Sequence, residues 1–370
     1  MYDVVIIGAG VIGLSIARSL GEKTSLSVLV VEKDDSFGRG VSSRNSEVVH
    51  SGIYYEPNSL KSIHCIKGRN YLYEYCDKND IWFNNCGKLV VSKVHQQTQI
   101  EDLYKNAEDN GIGSIQLIDK NEIEKLEPFI DSDIALKVNC TGIVSAHDLM
   151  SSLYNKSKNF EHDYLFKSKV MAIQKNSDSY NIEIENYFGE IENLGCGWVI
   201  NASGLDSDIV GNFIGLNVPR LKFLKGSYFK LSPKWRDKFQ HLVYPLPDKE
   251  HGSLGIHLTI DADQMARLGP NADWIQDRNE DYSVDQSLAK IFFDEGSKYI
   301  KKLELNDITP DYAGIRPKIS LNGNSMPDFY IEHEDKRGFP GFINLIGIES
   351  PGLTACLSIG ESISDLVIEN

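Results

Sequence analysis

The sequence predicts an α/β fold in which a parallel βαβ unit is interwoven with an antiparallel-sheet α+β domain. Three observations predict it. The chain opens on an apolar strand, a glycine turn, a helix and a second apolar strand. Two later apolar stretches finish in the same kind of small-residue turn, one at Ala202-Ser203-Gly204 and one over Gly347–Thr354. Between them, from Lys225 to Leu268, short apolar runs follow one another in the manner of antiparallel strands.

The opening unit accounts for itself residue by residue. Tyr2-Asp3-Val4-Val5-Ile6-Ile7 is the strand, Gly8-Ala9-Gly10-Val11-Ile12-Gly13 the turn and helix start, and Val28-Leu29-Val30-Val31 the second strand, ending at Glu32. Gly8 permits the tight turn, Gly10 lets backbone approach a pyrophosphate, and Gly13 lets the helix pack on the strand. The helix N-terminus offers unpaired N–H groups and its dipole to phosphates. Glu32 lies about 20 residues on, where an acid accepts a hydrogen bond from a ribose hydroxyl. The unit is Rossmann-like, and taken alone it does not separate NAD from FAD.

At 370 residues the chain is long enough for two domains or one elaborate one. No apolar run is long enough to span a membrane. The first strand begins at Tyr2, which leaves no room for a cleavable signal. The expectation is a cytoplasmic protein, with peripheral attachment at the inner membrane left open. A net charge of −15 repels phosphate backbones and excludes nucleic acid as a main partner. The six cysteines are scattered, without a CxxC pair, and read as reduced structural thiols with no metal site.

Phe37–Ser46 is a polar glycine-bearing loop leading into Val48-Val49-His50-Ser51-Gly52. Ser59–Asn79 has helical apolar spacing through Leu60, Ile63, Ile66, Tyr71, Leu72 and Tyr75. Lys88–Ser92 is a strand, 100–110 and 120–125 are helices, and His147–Asn155 is another. Strands follow at Lys169–Ile173, Tyr180–Glu185 and Trp198–Asn201, then at Ser227–Leu231, Leu242–Pro245 and Ser253–Thr259. A final strand runs into the Pro351-Gly352 turn and a helix to Leu366. The expected organisation assigns 1–80, 145–215 and 311–370 to the nucleotide domain, and 81–144 and 216–310 to a substrate domain. Ligands of open parallel sheets bind at the carboxyl ends of strands. A site gathered from the start, middle and end of the chain suits a large FAD better than NAD.

These pieces together resemble the D-amino-acid-oxidase-like FAD oxidoreductases, and within them the L-2-hydroxyglutarate dehydrogenase/oxidase group. The shared runs include Asn45-Ser46-Glu47-Val48-Val49-His50-Ser51-Gly52-Ile53-Tyr54-Tyr55, Cys86-Gly87-Lys88-Leu89, Lys225-Gly226-Ser227-Tyr228, Val243-Tyr244-Pro245-Leu246-Pro247 and Leu254-Gly255-Ile256-His257. Three stretches depart from the group. Ser42-Ser43-Arg44-Asn45 replaces a Thr-Gly-His-Asn run and is similar to glycerol-3-phosphate dehydrogenases. In related enzymes a histidine there bonds covalently to the flavin, so Arg44 implies noncovalent FAD. Glu349-Ser350-Pro351-Gly352-Leu353-Thr354 replaces Ala-Pro-Ser-Pro-Ala-Ala-Thr, and the segment between Ala272 and Ala313 is shorter.

Oxidising a 2-hydroxy acid needs a carboxylate anchor, a base for the hydroxyl proton and a flavin to take the hydride. Arg316, before Pro317, is the anchor candidate, because a guanidinium fork matches a carboxylate bidentately. His50 and His257 match histidines of the resembled group and are both candidates for the base. Tyr54, Tyr55, Tyr228 and Tyr244 are candidates to donate hydroxyls to a second carboxylate, and Lys225 and Lys318 are its cationic candidates. The resemblance implies FAD contacts at Gly8, Gly10, Gly13, Glu32 and Lys33, and at Ser42, Ser43, Arg44 and Asn45. It adds Val170 at the adenine, Ala202, Ser203 and Gly204 at the pyrophosphate, and Gly347, Ile348, Gly352, Leu353 and Thr354 at the flavin ring.

The leading expectation is an FAD-dependent enzyme that oxidises a small carboxylate such as L-2-hydroxyglutarate to its 2-oxo acid. The alternatives are an amine or amino-acid oxidase, a glycerol-3-phosphate-dehydrogenase-like enzyme, and a flavoprotein that binds a partner without turnover. Oxygen, a quinone and an electron-transfer protein all stand open as the electron acceptor.

Overall fold

The computed structural model describes residues 1–247, 255–276, 278–321 and 324–370. An eight-stranded sheet has a parallel centre in the spatial order Asp163–Leu165, Val28–Val31, Tyr2–Ile7, Ile191–Asn201, Phe342–Ile346. Its strands are near-continuous apolar runs because both faces are covered. Val4, Ile6, Val28, Val30, Ile200 and Ile343 pack against helices Val11–Lys23, Ala146–Asn159 and Gly352–Glu369. Val5, Ile7, Leu29 and Val31 pack on the opposite face with Val170, Tyr180 and Ile182.

Register decides where a ligand can go. Ile7 stands beside Val31 on one side and Asn201 on the other, and Asn201 stands beside Asn344. The strands therefore end in one row. Strand order reverses between Tyr2–Ile7 and Ile191–Asn201, so the crevice past this row is a topological switch point.

The second sheet has ten strands and supplies the opposite wall. Arg220–Leu231 pairs antiparallel with Ile308–Leu321 along almost its whole length, and Ala266–Gly269, His257–Ile260, Leu242–Pro245 and Lys88–Ser92 continue outward. Leu242–Pro245 pairs antiparallel with His257–Ile260, as expected from Lys225 to Leu268, and parallel with Lys88–Ser92 on its other side, which a long crossover allows. The expected strand at Ser227 starts seven residues earlier, at Arg220. The strand expected over Ser253–Thr259 is His257–Ile260, and Ser253 and Leu254 lie outside the described residues.

Ile308–Leu321 has no counterpart in the sequence reading, since Pro310, Gly314 and Pro317 interrupt its pattern. The prolines fit because the strand is paired on one side for most of its length, where missing N–H donors cost little. The expected boundary at 311 falls inside it.

Helix Leu60–Lys78 also departs from expectation. Ile63 and Tyr71, both counted on its apolar face, are exposed. Leu72 and Tyr75 are buried as expected, and beside them the buried face holds small and polar residues, Ser62, His64, Cys65 and Gly68 among them. A Cβ at Gly68 would collide with the Thr354 carbonyl, so this helix packs by close backbone approach to Gly352–Glu369. Among the described residues, no helix is long and apolar enough to cross a membrane.

Candidate active site

A cavity of about 430 Å³ lies between the row of strand ends and the second sheet. On the first wall Gly8 turns at φ +105°, and a Cβ there would lie 2.5 Å from the Ala202 carbonyl oxygen. Gly10 lines the cavity; its Cβ would meet Ser42 Oγ at 3.0 Å. Gly13 does not line it. A Cβ on Gly13 would strike the Gly8 carbonyl, so this glycine serves the helix–strand packing. Glu32 Oε2 accepts the Ala9 N–H at 2.7 Å, and burial pushes its carboxyl up from the ordinary range. Lys33 bridges Asp206 and Glu280 at 2.8 and 3.0 Å.

Ser42, Arg44 and Asn45 also line this wall. The Ser42 hydroxyl accepts the Val11 N–H at 3.0 Å, while Arg44 lies over the Tyr282 ring at 3.9 Å with its Nε buried and without a partner among the described residues. Ser43 turns away, its hydroxyl donating to the Arg39 or Gly40 carbonyl. Val170, Ala202, Ser203 and Gly204 line the cavity, as do Ile348, Gly352 and Leu353. Gly347 and Thr354 stand behind them: Thr354 Oγ1 accepts the His50 N–H at 2.9 Å. The Gly352–Glu369 helix starts at the cavity with no acidic residue in its first turn, and the Glu349 carboxylate lies three residues before it.

The second wall carries Tyr228, His257 and Arg316, and His50 lines the same cavity from the segment after Val48–Val49. Arg316 Nη2 donates to the Asn271 carbonyl at 3.1 Å, and its Nε is buried with no partner among the described residues. Tyr228 stacks on Tyr312 at 4.4 Å. His50 Nε2 lies 2.9 Å from Ser350 Oγ. His257 Nδ1 lies 3.1 Å from the Gly255 carbonyl, which can only accept, so Nδ1 carries the proton and Nε2 keeps its lone pair. Burial holds both imidazoles down at about 3, with the nearby Lys88 acting in the same direction.

Tyr54, Tyr244 and Lys318 do not line the cavity. Tyr244 is stacked behind His257 at 3.8 Å, and Tyr54 and Tyr244 flank Lys88. Lys318 and Lys61 share the Glu349 carboxylate at 2.6 and 2.9 Å. Burial alone would raise the Glu349 carboxyl, but the two ammoniums hold it below its ordinary value. Lys225 pairs with Asp281 at 2.9 Å, and the Tyr55 ring is deep enough that burial pushes its phenol up. Lys88, Glu349 and Lys61 were not singled out from sequence as site residues. A lysine at the head of a strand carries no mark of burial, and the Lys61–Glu349 contact joins positions 288 residues apart.

A family model described as FAD dependent oxidoreductase matches residues 3–366. The chain belongs to that family. It is an FAD-dependent oxidoreductase. Its sequence is 35% identical over 406 residues to the mitochondrial L-2-hydroxyglutarate dehydrogenase of Arabidopsis thaliana, covering 98% of this chain and 83% of that protein. The human protein of the same name is 29% identical over 411 residues, covering 99% and 88%. Among solved structures, the FAD-bound L-alpha-glycerophosphate oxidase from Mycoplasma pneumoniae superposes with a TM-score of 0.89 at 24% identity, covering 99% of this chain and 94% of that one. Glycine oxidase from Geobacillus kaustophilus gives 0.81 at 21%, covering 100% and 95%. Both share the fold.

The residues fit the cofactor. The side-chain-free turn at Gly8 and Gly10, the N-terminus of Val11–Lys23, which has no acidic residue in its first turn, and the Glu32 carboxylate meet at one end of the cavity. The start of Gly352–Glu369 lies further along it.

Proposed function

We propose that this oxidoreductase converts a small 2-hydroxy acid, with L-2-hydroxyglutarate the leading substrate, to the 2-oxo acid. The observation that carries the reading is the buried Nε of Arg316, without a partner among the described residues, in the same cavity as two neutral histidines. The Asn271 carbonyl takes one N–H of Nη2, and Arg316 lines the cavity, where the rest of the guanidinium can meet a carboxylate. The names of the relatives at 35% and 29% identity support the same substrate.

Bound FAD supplies a hydride acceptor at its N5. The chain's own groups do the rest. Arg316 fixes the carboxylate and so the direction of the α-carbon. His257 Nε2 takes the hydroxyl proton; its tautomer is set by Gly255, whereas His50 Nε2 is engaged with Ser350. Tyr228 offers its hydroxyl on the same wall. Lys318 acts through Glu349 rather than on the substrate directly. Arg44 lines the cavity, and FAD would be held there noncovalently.

Anaerobic mixing with a panel of 2-hydroxy acids and the matching amino acids tests the reading. Bleaching of the flavin absorbance by hydroxy acids alone supports it. Bleaching by amino acids alone overturns it in favour of an amino-acid oxidase.

A further inference from the structure

Lys88 is 0% exposed and its Nζ has no hydrogen-bond partner among the described residues. The ammonium lies 4.5 Å from the centre of the Tyr54 ring and 4.8 Å from that of Tyr244. Tyr244 is itself laid flat on His257, with ring centroids 3.8 Å apart and planes 16° apart. Lysine, phenol ring and imidazole thus form one stack ending at the cavity wall. A cation against two ring faces is retained by their quadrupoles, without a counter-ion.

We propose that Lys88 is the positioning residue for the His50–His257 pair: its charge adds to burial in opposing a proton on either imidazole, and loss of that charge makes them stronger bases. The groups facing it from the packed elements are Tyr54, Tyr244, His50 and His257, and the thiols of Cys65 and Cys140. Arg69 donates to Cys140 Sγ at 3.1 Å, and Arg316 adds positive charge at His257. No carboxylate is among them, so an ammonium here raises the cost of a second positive charge on either histidine. Burial pulls Lys88 itself down to about 7, within reach of working pH. The proposal rests on the reading of a histidine as the proton acceptor, and its test has one arm that needs no substrate.

The variants are Lys88→Met, neutral at every pH, and Lys88→Arg, charged at every pH. In the wild-type holoenzyme, the flavin-reduction rate constant at saturating hydroxy acid rises through a step near pH 7. The expected rise is about threefold, because a like charge held one aromatic ring away in a buried site moves a pKa by less than a contacting charge does, and the rate follows part of that. Lys88→Met is flat at the upper level and Lys88→Arg flat at the lower one. In the substrate-free arm, the imidazole 15N signals of His50 and His257 shift with the same midpoint in the wild type and in neither variant. Histidine signals that stay constant from about pH 6 to 9 in the wild type overturn the proposal whatever the substrate. So does an unchanged step in Lys88→Met. A shifting pair of signals in an enzyme that no hydroxy acid reduces would count against the substrate reading alone. If Lys88→Met fails to fold, wild type and Lys88→Arg decide the question between them.

Discussion

The backbone at Gly314 runs so close to Arg44 that a Cβ on Gly314 would collide with the Arg44 carbonyl oxygen. That approach ties the strand carrying Arg316 to the loop carrying Ser42 and Asn45, so the two cavity walls hold one spacing. Gly314 stands opposite Gly226 in the sheet, where a Cβ would press within 2.6 Å of Pro270.

Gly314→Ala should therefore weaken cofactor binding from the far wall. Forcing the two backbones apart costs about 1–3 kcal/mol, or roughly 5- to 150-fold in FAD affinity. Flavin titration of the apoprotein measures it. Wild-type affinity would mean that the walls are not coupled here.

Gly10→Val should abolish FAD binding while the fold persists. Even a methyl group at this position meets Ser42 Oγ at 3.0 Å, and a larger side chain fills the path expected for the pyrophosphate. The purified variant should be colourless with an unchanged circular dichroism spectrum. A yellow Gly10→Val protein would leave the opening glycine motif with a structural part only.

Acid precipitation should release the flavin into the supernatant. Arg44, whose guanidinium lies over Tyr282, stands where related enzymes place a bonding histidine. Colour that stays with the pellet contradicts noncovalent binding.

Lys88→Met should be more stable than the wild type at about pH 6, by about 1–4 kcal/mol, since replacing a buried charge with an apolar side chain of similar length removes its desolvation cost. The advantage should shrink as pH rises. Burial lowers the folded-state value to about 7 from the ordinary 10.5, so between these limits the unfolded chain binds more protons and wild-type stability climbs with pH. Urea midpoints of both proteins across that window check the sign; a pH-independent gap would contradict it.

The parts of the site readable in sequence are those where local chemistry dictates residue type. Gly8 turns at positive φ, Gly10 lines the cavity where a Cβ would crowd Ser42 Oγ, and Glu32 follows the second strand. The pairing of Lys61 and Lys318 on Glu349 was not readable, because each lysine is ordinary in its own segment and only the fold brings them together. Helix Leu60–Lys78 misled for a related reason. Its neighbour approaches so closely at Gly68 that small residues take the buried face and Ile63 and Tyr71 are left outside. Ile308–Leu321 stayed hidden because its prolines suit a one-sided strand, a property of position in the sheet rather than of the segment.

The central claim is that Arg316 anchors a substrate carboxylate beside the flavin, and Arg316→Lys tests it most directly. Lysine keeps the charge but loses the planar fork, so one hydrogen bond and the fixed angle to the reacting carbon are lost. With L-2-hydroxyglutarate as substrate, kcat/KM should fall by about 10- to 150-fold, corresponding to roughly 1.5–3 kcal/mol, while flavin content stays at the wild-type level. Arg316→Ala should cost more, because it leaves the carboxylate unpaired in a desolvated pocket. Unchanged kcat/KM in both variants would contradict the account and remove Arg316 from the site.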